Sequence, residues 1–301
     1  LDVVPPADIA AENFWQTEKD AWYALNTCYS TLDGVDIWDE LCTDNAHSHK
    51  PWEGNFEMVQ QNGISTANGY GSYYFGTVRV VNNFIANVDK CAVSDELKTR
   101  MKAEARFLRA YYYFELFRQY GPVYIWGDIE SDELIKPETI DRHTVDENVN
   151  FIAEEYDKAI AELPAEISDF TKWAGRITKG AAMAAKARLM LYAASPLYNG
   201  CDLYKGQMKN LYGDFLFPQS PDPQKWEKAA KAAKDVIDMN IYELYKDQTE
   251  ADPLLRAIKS YQGVLFEEWN KETIWGAWGR NPTNTGLGAI GFYLYSRCMP
   301  P

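Results

Sequence analysis

Apolar residues recur three and four positions apart through much of this chain, and Gly or Pro closes most of the runs. That spacing is the signature of amphipathic helices, and it returns too often to leave room for a large sheet. The strongest run follows Ser94, a residue suited to an N-cap. Leu97, Met101, Ala105, Leu108, Tyr112 and Leu116 fall on its inner face, and Gly121-Pro122 ends it. Thr144 with Glu147 forms a capping box for Val145, Val149, Ile152, Tyr156, Ala159 and Leu163, which Pro164 stops. Thr178 opens a third run, whose Ala181, Ala182, Ala184, Ala185 and Ala187 permit close helix–helix approach before Ser195-Pro196. Asp222-Pro223 pairs a capping residue with proline at the first helical position; Trp226, Ala230, Ala233 and Ile237 then share a face. Nearer the start, Thr17 and Asp20 cap a run through Ala21, Leu25, Cys28 and Leu32, and Val78, Val81, Ile85 and Val88 make another stripe. Residues 264–269 read as a short strand-like run.

The long helices fall into pairs, 94–119 with 145–163 and 178–195 with 223–239. Recurrent pairs point to tetratricopeptide-like units, which bury a face only by stacking on neighbours. Tyr156, Ala159 and Pro164 match the end of that repeat's pattern, although the spacer within each pair is longer than in a regular repeat. The expected fold is mostly α: tetratricopeptide-like helix pairs (an α/α superhelix) with long loop insertions and a small irregular or β portion. We expect a single domain over 1–301. Its scaffold covers about 14–32, 74–119, 145–163, 178–195 and 223–239, and its loop-rich insertions about 36–73, 196–222 and 240–301.

Charge and aromatic content limit the partner. The chain carries 44 Asp and Glu against 30 Lys and Arg, a formal charge of -14. It repels phosphate backbones and has no basic stripe, which excludes nucleic acid and favours a neutral ligand or a cation. No run of apolar residues reaches the length of a membrane span. With 10 Trp, 20 Tyr and 13 Phe, aromatics exceed what a core alone calls for. Tyr and Trp offer a flat apolar face with a polar edge, so their surplus in loops reads as a recognition surface. The consecutive tyrosines at 111–113 read as core, since helical spacing accounts for them.

Cys28, Cys42, Cys91, Cys201 and Cys298 are scattered, with no C-x-x-C pair, which excludes a zinc ribbon or a thioredoxin-like motif. They read as buried free thiols. No nucleophile elbow, H-E-x-x-H or P-loop is present. Gly286-x-Gly288-x-x-Gly291 has dinucleotide-loop spacing but no surrounding βαβ unit. Paired carboxylates for glycoside hydrolysis stay open, because acidic residues are plentiful. His47 and His49 near Asp44 make a weak metal signal, read as a solvated loop. The acidic run Asp128, Glu130, Asp132 and Glu133 has oxygen ligands for calcium but neither the glycine nor the spacing of an EF-hand. No cofactor is expected.

A set of motifs in order along the chain resembles the SusD/RagB family of glycan-binding outer-membrane lipoproteins. They are Leu1 to Pro6 with Asn13-Phe14-Trp15, then Val80-Val81-Asn82-Asn83-Phe84-Ile85. The most specific is the run from Ala103 to Phe114 (AEARFLRAYYYF), followed by Tyr120-Gly121-Pro122-Val123. Ile177-Thr178-Lys179-Gly180-Ala181, Ala184 to Leu189, Trp226 onward and Phe266-Glu267 complete it. The resemblance implies helix pairs with a loop-rich lobe and a lipid anchor upstream of Leu1 on the outer membrane of Bacteroidetes-type bacteria. It also implies a SusC-like TonB-dependent transporter as partner, and capture of oligosaccharide or polysaccharide without catalysis. The chain stops where the family usually continues into another lobe, so we expect the natural protein to extend beyond Pro301. Tyr124 stands where many members have proline, a departure confined to the turn.

Sugar recognition needs an aromatic face for the axial C–H patch and planar polar groups for the hydroxyls. The segment 269–295 supplies Trp275, Trp278, Arg280, Asn281, Asn284, Tyr293 and Tyr295. The bland alternative is that the two tryptophans pin this loop to the helices. A second segment, 36–76, holds Asp44, Asn45, Trp52, Asn55, Tyr70 and Tyr73. Two rival functions remain in view. A helical glycoside hydrolase would release shorter products, and a tetratricopeptide-type protein-interaction scaffold would seat its ligand in the helical groove.

Overall fold

The structure, a computed structural model, describes residues 14–30, 32, 47–48, 74–128, 140–267, 269–276 and 298–299. The helix starts are set by the side chains that cap them. Thr17 accepts from the Asp20 amide while Asp20 reaches back to the Thr17 amide, and α1 runs Glu18–Tyr29. The first stripe continues in α2, Tyr74–Asn87, and a 3₁₀ turn at Val88–Lys90. Ser94 caps α3, Asp95–Tyr120, which ends at Gly121 with φ of 72°; glycine occupies that left-handed conformation without a Cβ penalty. The Thr144–Glu147 capping box starts α4, Val145–Glu162. A single turn, α5, spans Phe170–Trp173, and Thr178 caps α6, Lys179–Ala194. Pro223 has helical dihedrals and the Asp222 carboxylate accepts from the Gln224 amide at 2.9 Å, opening α7, Gln224–Ile237. Asp252 caps α8, Pro253–Phe266.

Two of these results correct the expectations. Residues 264–266 close α8 instead of forming a strand, and this helix lies inside the stretch 240–301 read as loop. The Asp252-Pro253 start outweighs the β propensity of a few apolar residues. In α7, the face bearing Trp226, Ala230, Ala233 and Ile237 looks to solvent, with Trp226 48% and Ile237 72% exposed. Ala229 is buried, and Ala232 and Val236 are half-buried. Helix α7 packs on alanine-rich α6, and small residues permit that close approach.

The chain divides into two compact units, Leu1–Thr31 with Tyr74–Gly276, and Leu32–Tyr73 with Ala277–Pro301. In the first, α1 packs on α2, α2 on α3, α3 on α4, α4 on α6, and α6 on α7. The expected pairs, α3 with α4 and α6 with α7, are the closest neighbours in this stack. Helix α3 lies at its centre, with Phe107, Leu108, Tyr112, Tyr113, Leu116 and Phe117 at 0% exposure. The inner stripe of α4 is likewise buried from Val145 to Leu163. In the second unit the described element is an antiparallel pair, β1 at His47–Ser48 and β2 at Cys298–Met299. Among the described residues no helix is long and apolar enough to cross a membrane. Cys28 and Cys91 are buried free thiols and Cys201 is half-buried; burial pushes the Cys28 thiol up to about 12.

Buried charges tie the stack together. Arg109 in α3 donates to Glu155 in α4 through Nε at 2.9 Å and Nη2 at 2.6 Å, with both side chains 1% exposed. Its Nη1 reaches Asn82 of α2 at 3.0 Å, the Gly127 carbonyl at 3.2 Å and Asp128 at 2.6 Å. Glu155 also accepts from Arg106 at 3.1 Å and Lys158 at 2.8 Å. One turn earlier in α3, Glu104 accepts from Tyr29 of α1 at 2.7 Å, Arg100 at 3.2 Å and Arg176 at 3.4 Å. The polar members of the AEARFLRAYYYF run are thus cross-links between helices.

Two outcomes are expected. Arg109→Met leaves Glu155 with Arg106 and Lys158 alone and takes the partner from Asn82 and Asp128; it should lower stability by about 3 kcal/mol in urea denaturation, and adding Glu155→Leu should recover only part, because Arg106 then loses its own partner. The Thr144 backbone amide and hydroxyl hold the Glu147 carboxyl below its ordinary range. Its contribution is therefore present above the unfolded value and lost as pH falls through the folded one. The stability gap between wild type and Glu147→Gln should shrink between about pH 5 and about pH 3; a gap constant across that window would contradict the assignment.

Candidate functional site

Beyond α7 the chain leaves the helical stack, lies back on it once and then packs on α8. Tyr242 lies against Gly180 of α6: a Cβ there would come within 1.9 Å of the tyrosine hydroxyl oxygen. Tyr245 lies in the same way on Gly263 of α8, where a Cβ would come within 2.1 Å of the ring. Only glycine leaves room for a ring on the helix backbone at these points. The segment after α8 is clamped alongside. The Glu243 amide donates to the Lys271 carbonyl at 3.1 Å, and the Tyr245 amide to Glu272 at 2.8 Å. Asn270 holds the turn by donating to the carbonyls of Val264 and Glu267 at 3.0 Å and 2.9 Å. Trp269 takes φ of 51°, a left-handed conformation costly for a bulky side chain, and its ring sits 5.3 Å from that of Phe170.

Trp275 is the one expected sugar contact among the described residues. It is half-buried, its Nε1 donates to the Gly175 carbonyl at 3.1 Å, and its ring meets the edges of Phe107 and Tyr111. It therefore fastens the segment to α3 and to the turn after α5 while part of the ring stays open. Trp278, Arg280, Asn281, Asn284, Tyr293, Tyr295, Asp44, Asn45, Trp52, Asn55, Tyr70 and Tyr73 lie outside the described residues. So do His49, Glu130, Asp132 and Glu133, and the glycines at 286–291. Asp128 is engaged by Arg109, which together with Arg106 and Lys158 holds its carboxyl below the ordinary range against the opposing effect of burial. Among the described residues no three His, Cys, Asp or Glu side chains gather to hold a metal ion.

Aromatic residues that the sequence reading passed over sit near Trp275 in the chain or in space. Phe170, 48% exposed, and Trp173 come from α5, and Trp269 from the turn after α8. The Trp173 ring is already engaged, with the Arg100 guanidinium 3.4 Å from its centre and Trp22 at 5.6 Å. Phe170 and Trp269 form the more open pair. A signal for Phe170 and Trp173 was available: two aromatics three apart in an otherwise polar stretch have no core stripe to join.

Two adjoining hollows lie on the folded-back segments. The larger, about 570 Å³, is bordered by Glu243, Leu244, Tyr245, Lys246, Gln248, Asn270 and Lys271. The smaller, about 320 Å³, is bordered by Lys246, Asp247, Gln248, Arg256 and Ser260. Lys246 and Gln248 belong to both. Amide, ammonium and guanidinium groups facing a hollow of this size can bind hydroxyls and anions.

A family described as SusD-like, starch-binding and associating with the outer membrane matches residues 9–191. A SusD-like protein, P38, of Formosa agariphila is 27% identical over 204 residues, covering 64% of this chain and 38% of that protein. A solved SusD-like protein from Bacteroides fragilis superposes with a TM-score of 0.69 at 25% identity, over 93% of this chain and 48% of its own. A surface glycan-binding protein A from Bacteroides uniformis shares the fold, with a TM-score of 0.62 at 20% identity over 86% and 52% of the two chains. The chain thus spans about half the length of these solved relatives. SusD-like proteins bind carbohydrate and are not catalysts, and the family is outer-membrane associated. With more than half its length matched to the family and a mostly helical stack in common with the solved members, the chain belongs to the SusD-like family.

Proposed function

We propose that this chain captures oligosaccharide or polysaccharide at the cell surface without cleaving it. It then presents the glycan to a SusC-like TonB-dependent transporter in the outer membrane, held there by a lipid attached upstream of Leu1. The observation that carries the reading is the family match over residues 9–191. A surface glycan-binding protein among the solved relatives supports it. The helical stack acts as a rigid support, and the segments folded back on it hold aromatic and amide side chains outward, as sugar recognition requires. We assign glycan contact to Trp275, Trp278, Arg280, Asn281, Tyr293 and Tyr295, and to Asp44, Trp52, Tyr70 and Tyr73. Trp275 contributes through the part of its ring left open, since its N–H is already taken by Gly175.

Calorimetry against a panel of oligosaccharides tests this. Trp275→Ala and Trp278→Ala are each expected to cost about 1–2 kcal/mol of binding free energy, from the apolar area lost. Trp275→Phe keeps ring packing on Phe107 and Tyr111 and separates loss of contact from loss of fold. Affinity unchanged in both alanine variants would discard this aromatic segment as the site. Shorter products after incubation would favour a hydrolase, and absence of any glycan binding with capture of a peptide would favour an interaction scaffold.

A further inference from the structure

The two hollows on the folded-back segments carry a charge pattern that the rest of the site does not require. Carboxylates of these segments are engaged. Glu243 pairs with Lys271 at 3.2 Å and Glu250 with Lys259 at 3.0 Å. Asp247 accepts from the amides of Thr249 and Glu250, each at 2.9 Å, within its own turn. Asp252 caps α8 by accepting from the Leu255 amide at 2.9 Å, and Glu272 takes the Tyr245 amide at 2.8 Å. Lys246 and Arg256 are left over: among the described residues neither has an ion pair or a side-chain hydrogen bond. Both face the same 320 Å³ hollow, which opens beside the larger one through Lys246 and Gln248.

What sets Lys246 and Arg256 apart from other cations without an ion pair is that both border one hollow. A guanidinium and an ammonium together suit a carboxylate or a sulfate ester, the first through its planar fork and the second as a point charge. Gln248, exposed on the same hollow, suits neighbouring sugar hydroxyls, and the adjoining hollow gives room for a second residue of the glycan.

We infer that the hollow between Lys246 and Arg256 is a subsite for an anionic sugar unit of the captured glycan. This rests on the glycan-capture reading and names the ligand's chemical class. The segments that build it are held in place by Tyr245 on Gly263 and by the clamp from Glu272, so the two cations are presented from a fixed surface.

The test is binding of three matched oligosaccharide sets, uronate-bearing, sulfate-bearing and neutral, to the protein and to Lys246→Gln, Arg256→Gln and the double variant. Both side chains are exposed, so the variants should keep the wild-type circular dichroism spectrum and denaturation midpoint. One of the anionic sets should bind more tightly than the neutral set, and the preferred set identifies the anion. Each single substitution should weaken that binding about tenfold, and the preference should shrink with added salt. Neutral glycans bound as tightly as anionic ones, or anionic binding unchanged in the double variant, would overturn the subsite and leave glycan capture standing. Failure of all three sets would overturn both.

Discussion

The stack of helices depends on one buried guanidinium. Arg109 sits in the middle of α3; its Nε and Nη2 are taken by Glu155 of α4, and its Nη1 by Asn82 of α2 and by Gly127 and Asp128. A charge at this depth is tolerated only with such complete pairing, because its desolvation exceeds what a single contact returns. The pairing fixes geometry as well as charge. Glu155 must face α3 for α4 to sit where it does, Asn82 must do so for α2, and the chain after Gly121 must turn back to bring Gly127 and Asp128 to the same head group. Glu104, five residues earlier, makes the corresponding tie to Tyr29 of α1 and to Arg176 before α6. Apolar burial drives these helices together; the two polar clusters select which faces meet.

This division explains what the sequence discloses. Caps are local chemistry, a side-chain oxygen two or three residues from an amide, so Thr17, Ser94, Thr144, Thr178 and Asp222 mark helix starts without tertiary knowledge. The stripes of α3 and α4 are legible because large apolar residues fill them. Helix α7 is not, since its larger residues, Trp226 and Ile237, lie on the outer face while alanines meet α6. Periodicity says which residues share a face; it does not say which face turns inward when the neighbour demands close approach. The helix at Pro253–Phe266 was open to the same local reading, through Asp252 and Pro253, and was obscured by the apolar run at its end.

The site is harder to read for a different reason. Phe170 meets Trp269 across nearly a hundred residues of sequence, Trp275 meets Gly175 and Phe107, and Tyr242 finds Gly180. No spacing rule connects such positions. The glycines are the exception in retrospect. Gly180 stands near the start of α6, where alanine would be the better helix former, and its presence there marks a place where something must lie on the backbone. Tyr242 is that partner, and it brings the segment 240–250 back onto the stack.

Net charge and local charge then part company. A formal charge of -14 argues against an anionic ligand when the chain is treated as one body. At physiological ionic strength, however, screening acts over about 8 Å, so a ligand in a hollow senses the groups that line it and little of the distant surface. Around Lys246 and Arg256 the nearby carboxylates are held by a lysine, by backbone amides or by a helix cap, so none forms an ion pair with the two cations, although Asp247 borders the same hollow and keeps its charge. The acidic surroundings have a second effect. They disfavour an anion over much of the remaining surface, so a charged sugar gains most where two cations border one hollow.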